Sequence, residues 1–142
     1  KIGFGAYLSV SENGIPLDIL KTQVKVKRFE ETSSTKLELQ TLLWAVSNLQ
    51  QNDGNITIYT DSQNIIGLLE RRAKLEQNNY SSKNNVHIKN HLLYKEFYKI
   101  IDNRNCEFIQ VNGHKPSKQK DEIDNIFTLV DRASRNALRK LN

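Results

Sequence analysis

The run Ile56-Thr57-Ile58-Tyr59 is too short for a helix and rich in β-branched and aromatic residues, and it lies between two segments whose apolar residues recur at helical spacing. Its apolar side chains fall on both faces, the pattern of an interior parallel strand. A strand of that kind with a helix on either side commits the chain to an α/β layer arrangement. The helix before it is expected from about Thr35 to Gln50, with Leu39, Leu42, Leu43, Val46 and Leu49 on one stripe and Asn52 to Asn55 as its stop. The helix after it reads SQNIIGLLERRAKL.

The remaining segments fit the same plan. In GFGAYLSVSENGIPLDILKTQVKVKRF, Asn13-Gly14 signals a hairpin turn between two strands, and Val24 and Val26 alternate with Lys25 and Lys27, so one face is apolar and the other basic. Residues 76–90 are polar and read as an exposed loop. Leu92, Leu93, Phe97 and Ile100 then resume helical spacing, and CEFIQVNG reads as another strand. Ile123, Ile126, Phe127, Val130, Ala133, Ala137 and Leu141 make one apolar stripe along a long terminal helix. The expected order is strand, strand, helix, strand, helix, helix, strand, helix, in one domain over residues 1–142.

Charge and cysteine content narrow the setting. A net charge of +5 suits a polyanionic partner without specifying one. The single Cys106 excludes an internal disulfide framework and a cysteine-based zinc cluster, and no apolar run approaches a membrane span. A cytoplasmic protein with no membrane partner is expected, as a monomer. The chain has no Met and opens within what reads as a strand, so further residues are expected ahead of Lys1.

Four carboxylates stand where chemistry could use them, each with an ordinary structural alternative. Asp61 ends the strand on the face of Thr57 and Tyr59, where open α/β sheets place ligands, yet Asp before a helix is also a preferred N-cap. Glu38 falls in the first turn of its helix, roughly 75° from the centre of the apolar stripe at 100° per residue. The same Glu38 completes a capping box with Thr35. Asp124 and Asp131, seven residues apart, flank the stripe of the last helix on one side, about 10 Å apart along its axis, or are solvated acids on an amphipathic helix.

Taken in order, SSTKLELQTLLWAV, IYTDSQNIIGLL, VNGHKPS and VDRASRNAL resemble ribonuclease H of type 1, the family that cuts RNA in RNA/DNA hybrids, and GFGAYL is similar to its glycine-flanked second strand. The resemblance spans nearly the whole chain. It implies a ribonuclease H-like three-layer fold, a mixed five-stranded sheet of order 3-2-1-4-5 with helices on both faces, and acidic residues converging on divalent metal. Mg²⁺, with Mn²⁺ as the substitute, suits an oxygen-only donor set, and two ions about 4 Å apart activate water and stabilise the leaving oxygen.

Residue by residue, the resemblance implies Glu38 and Asp61 as metal ligands and His114 as the mobile histidine that assists proton transfer or product release. The ligand on the last helix is Asp131, followed at +3 by the small Ser134, with Asp124 the alternative because its spacing to His114 is the more usual one. Contacts to the hybrid fall to Ser62, Gln63 and Asn112 near the cleft and to the basic Arg71, Arg72 and Lys74, with Lys25 and Lys27 in support. His87 and His91 match nothing in the family and are expected to be surface or structural residues.

Two departures qualify the resemblance. The family's first strand, with its DGS-type motif and fourth carboxylate, has no counterpart, and neither Asp18 nor Asp53 replaces it. An N-terminally incomplete domain is therefore expected, with that strand supplied from elsewhere. The basic, Trp-containing protrusion of some members is also absent: the only tryptophan is Trp44. The second function these departures leave open is a catalytically inactive ribonuclease H-like module that binds nucleic acid or protein.

Overall fold

A computed structural model describes residues 1–11, 14–49, 54–112 and 121–141. The order is β1 (Gly3–Tyr7), α1 (Leu17–Gln23), β2 (Lys25–Phe29), α2 (Ser34–Ser47), β3 (Ile56–Thr60), α3 (Gln63–Gln77), α4 (His91–Asn103), β4 (Cys106–Gln110) and α5 (Glu122–Leu141). This is the expected mixed α/β order with one helix, α1, added. Two compact units divide the chain, one made of Lys1–Leu37 with Asn112–Asn142 and the other of Glu38–Val111.

In the first unit β1 and β2 pair antiparallel, Gly3 opposite Phe29 and Tyr7 opposite Lys25. The connection is not the tight turn that Asn13-Gly14 signals. Gly14 does take the left-handed φ of +80°, but residues 8–24 separate the strands and contain α1, while Asn13 lies outside the described residues. Pro16 precedes α1, and Leu20 anchors that helix at 1% exposure. The apolar-and-basic alternation of β2 is also not reproduced, since Val26 is exposed like its lysine neighbours. A strand with one partner and charged side chains is an edge, and needs no buried face. Lys25 lies over the Tyr7 ring and Lys27 over the Phe29 ring instead.

α5 packs against β1. Its start is fixed by a reciprocal pair: Asp121 Oδ1 accepts the Asp124 N–H at 2.9 Å, and Asp124 Oδ2 accepts the Asp121 N–H at 3.2 Å. Acidic residues in its first turn and Arg139 and Lys140 in its last both complement the helix dipole.

In the second unit β3 and β4 run parallel, Ile56 opposite Cys106 and Thr60 opposite Gln110, joined by α3 and α4. The parallel pairing is as expected, but only one face is covered: Ile56, Ile58 and Thr60 are half-buried, whereas Thr57 and Tyr59 are exposed. The core comprises Leu39 and Leu43 of α2, Ile65 and Leu68 of α3, Tyr80, and Tyr94, Phe97 and Tyr98 of α4.

The stripe on α4 differs from the expected one. Leu92 is 68% exposed, and Tyr94 and Tyr98 take the buried positions with Phe97. The Tyr98 hydroxyl makes this possible, because it donates to the Leu68 carbonyl at 2.5 Å and so buries no unpaired polar group. Within the polar segment 76–90, Tyr80 is likewise buried, at φ +55°.

Across the surface of this unit Arg72 makes a two-pronged pair with Asp102, at 2.7 and 2.6 Å, while its Nε reaches Glu76 at 3.3 Å and its guanidinium lies over the Tyr98 ring. Hydrogen bonding from Arg72 holds the Asp102 carboxyl below the usual carboxylate range. A lowered acid stabilises the fold above its unfolded pKa, and that contribution disappears as pH falls through the lowered value. Asp102→Asn is expected to lower the thermal midpoint at neutral pH, with the difference from wild type shrinking as the solution is acidified through that range. A difference that persisted unchanged at low pH would show that the carboxylate charge is not the cause.

Candidate active site

Asp61 follows β3 directly. The strand is paired to its end, since the Thr60 carbonyl accepts from the Val111 N–H at 2.9 Å. The N-cap of α3 is Ser62, whose side chain accepts from the Ile65 N–H at 3.2 Å. Ser62 is itself held by its own N–H, which donates to Thr60 Oγ1 at 3.1 Å. The capping role that Asp61 might have filled is thus taken by its neighbour. Asp61 is exposed, and no hydrogen bond or ion pair engages its carboxylate among the described residues.

A neighbouring serine resolves Glu38 in the same way. α2 starts at Ser34 and its cap is Ser33, whose hydroxyl accepts the Lys36 N–H at 3.3 Å. The box between Thr35 and Glu38 does not form. Glu38 lies beyond the first turn, half-buried, and its carboxylate has no partner among the described residues. Both ordinary explanations for these two acids are therefore removed, by serines that the sequence did not mark as the caps. The signal was the Ser33-Ser34 pair ahead of the helix and the serine that follows Asp61.

On α5 the two candidate acids have different surroundings. Asp131 is exposed and pairs with Arg135 at 3.1 Å, an i,i+4 surface bridge. Asp124 is 6% exposed and caps the helix through Asp121. His114 lies outside the described residues. Within neither unit do three His, Cys, Asp or Glu side chains among the described residues gather closely enough to hold a metal ion.

The polar and basic candidates separate by what already occupies them. Ser62 is buried in its capping role, whereas Gln63 and Asn112 are exposed. Arg71 donates to the Gly67 carbonyl at 3.3 Å, Lys74 is exposed, and Arg72 is engaged by Asp102 and Glu76. Among the described residues no helix is long and apolar enough to cross a membrane.

The neighbouring roles of Ser62 and Asp61 can be measured apart. Ser62→Ala removes a cap bond and is expected to cost about 1 kcal/mol of unfolding free energy. Urea denaturation checks this, and an unchanged midpoint would mean that another group caps α3.

The family model for RNase H matches residues 3–137. Among curated relatives, Ribonuclease H of Caldicellulosiruptor saccharolyticus is 27% identical over 104 residues, covering 71% of this chain and 71% of the relative. Ribonuclease H of Thermoanaerobacter sp. is 24% identical over 110 residues, covering 75% and 70%, and that of Wolbachia pipientis wMel is 28% identical over 100 residues, covering 70% and 68%. The mixed α/β order is compatible with an RNase H-like enzyme fold. The chain belongs to the RNase H family.

Proposed function

We propose that the protein is a metal-dependent endonuclease that hydrolyses the RNA strand of RNA/DNA hybrids. The observation that carries this reading is the state of Asp61. It is an exposed carboxylate at the carboxyl end of a parallel strand, with its capping role taken by Ser62 and no partner among the described residues, in a chain whose relatives bear the name Ribonuclease H.

Asp61 and Glu38 fit a hard divalent cation, because both offer carboxylate oxygens that no other described group engages. In this reading they hold Mg²⁺, or Mn²⁺ in its place, together with a carboxylate of α5. Asp131 is the member chosen and Asp124 the alternative. When bound, the ion supplies Lewis acidity at the phosphodiester and a more acidic water. The chain's own residues orient that water and the RNA backbone, and His114 moves the proton or helps the product leave. Gln63, Asn112, Arg71 and Lys74 contribute phosphate or 2′-hydroxyl contacts, with Ser62 and Arg72 alongside them.

The same reading assigns the antiparallel pair β2-β1 to positions 3 and 2 of the family's sheet and the parallel pair β3-β4 to positions 4 and 5, in a single monomeric cytoplasmic domain. Cleavage of a labelled RNA/DNA hybrid in Mg²⁺ tests the activity, assayed on the 142-residue chain and on the protein carrying any residues encoded ahead of Lys1. Cleavage of the RNA strand alone by either form is the expected result. Hybrid binding without cleavage by both would replace the nuclease with a binding module.

A further inference from the structure

His87 and His91 belong to no part of the nuclease reading, yet the fold brings their rings together, with centroids 4.3 Å apart and planes inclined by 34°. We propose that this pair is a two-histidine site for a borderline divalent cation of the zinc class, separate from the carboxylate site and independent of the nuclease reading.

The two imidazoles arrive on fixed backbone. His87 forms an isolated bridge with Ser81, flanked by the Ser82 N–H donating to the Val86 carbonyl and the Ile88 N–H donating to the Tyr80 carbonyl, both at 2.8 Å. The buried Tyr80 ties that loop to the core. His91 opens α4, which the core holds through Tyr94, Phe97 and Tyr98. Neither ring therefore has to be recruited from a free loop, which lowers the entropy cost of closing a chelate.

The protonation pattern is set in the same way. His91 Nδ1 lies 3.1 Å from the Ile88 carbonyl, which can only accept, so Nδ1 carries the proton and the Nε2 lone pair is left for a ligand. A backbone carbonyl behind one ring nitrogen is the usual support of a metal-binding histidine. No hydrogen bond of the His87 ring is present among the described residues. Two zinc–nitrogen bonds of about 2 Å at a tetrahedral angle put imidazole centroids about 5 Å apart, so the rings close on an ion by opening less than about 1 Å from their 4.3 Å separation. Imidazole nitrogens favour Zn²⁺, Ni²⁺ and Cu²⁺ over the hard Mg²⁺ that carboxylates prefer. Water completes the coordination, so the site is weaker than a closed structural zinc centre, and its occupancy clips the loop of Lys83 and Lys89 to the start of α4.

The test is calorimetric titration of Zn²⁺ into the whole chain with excess Mg²⁺ present to occupy carboxylates, beside the variants His87→Gln and His91→Gln. NMR of the imidazole nitrogens identifies the ring atoms bound. Wild type is expected to bind one Zn²⁺ through both rings, and each variant to bind at least about tenfold more weakly. His87 is exposed, so the fold of His87→Gln should be intact by circular dichroism even if His91→Gln is less stable. No Zn²⁺ binding by wild type, or an unchanged isotherm in folded His87→Gln, overturns the proposal.

Discussion

Replacing Asp61 by Asn is expected to lower hybrid cleavage by about a thousandfold or more while leaving the unfolding midpoint where it was. Losing a metal-ligand charge removes several kcal/mol of transition-state stabilisation, and each 1.36 kcal/mol is about tenfold in rate. The fold should not notice, because Asn keeps the shape of the side chain and the Asp61 carboxylate engages no partner among the described residues: Ser62 provides the cap. Ser62→Ala should behave in the opposite sense, losing stability while the folded fraction keeps its kcat, with any loss of the proposed hybrid contact appearing in KM. Steady-state cleavage and urea denaturation of both variants separate the two roles. If Asp61→Asn cleaves like wild type, Asp61 is not a ligand; if it unfolds, the carboxylate has a structural partner that its exposed position does not reveal.

The contrast between Asp61 and Ser62 shows what a sequence alone leaves open. Asp, Ser, Thr and Asn are near-equivalent caps, so TDSQN offers several solutions to one problem. Only the position of the helix start distributes the roles. The same degeneracy affects SSTKLE, where Ser33 takes the cap and Glu38 falls beyond the first turn. Motif resemblance singled out both acids as residues of interest. The physical reason that they are not caps became visible only with the helix ends in place.

Helices were readable where apolar periodicity ran long, as in α2, α3 and α5, and were lost where it was short. α1 has seven residues, and its signals, Pro16 ahead of it and Leu17 and Leu20 three apart, are outweighed by Asn13-Gly14 and by the alternation that follows. That alternation was itself deceptive, because Val26 gains no burial on an edge strand. β-propensity describes fit to a pleated surface, and does not tell which faces of that surface are covered. On the last helix the choice between Asp131 and Asp124 also depends on surroundings. One forms an exposed bridge and the other is buried in a reciprocal cap, a difference that the spacing from His114 does not encode.

Phe97→Ala is expected to be among the most damaging single changes to stability, with a cost of about 4 kcal/mol against the roughly 5–15 kcal/mol that holds a domain folded. Phe97 is 1% exposed, and its ring meets the Tyr98 ring at 5.4 Å and the Phe108 ring edge-on at 5.8 Å. Phe108 stands opposite Ile58 in the parallel pair, so the cavity would open beneath the strand that delivers Asp61. Leu92→Ala, on the same helix at 68% exposure, is expected to change stability by no more than about 0.5 kcal/mol. The apolar spacing of the sequence weights Leu92 and Phe97 alike, whereas the fold separates them by where α4 turns its face. Urea denaturation of the two variants measures that separation. Equal losses would mean that α4 is rotated from the orientation in which Tyr98 reaches Leu68; a large loss at Phe97 with cleavage retained by the remaining folded fraction would place Phe97 in support of the site without a role in its chemistry.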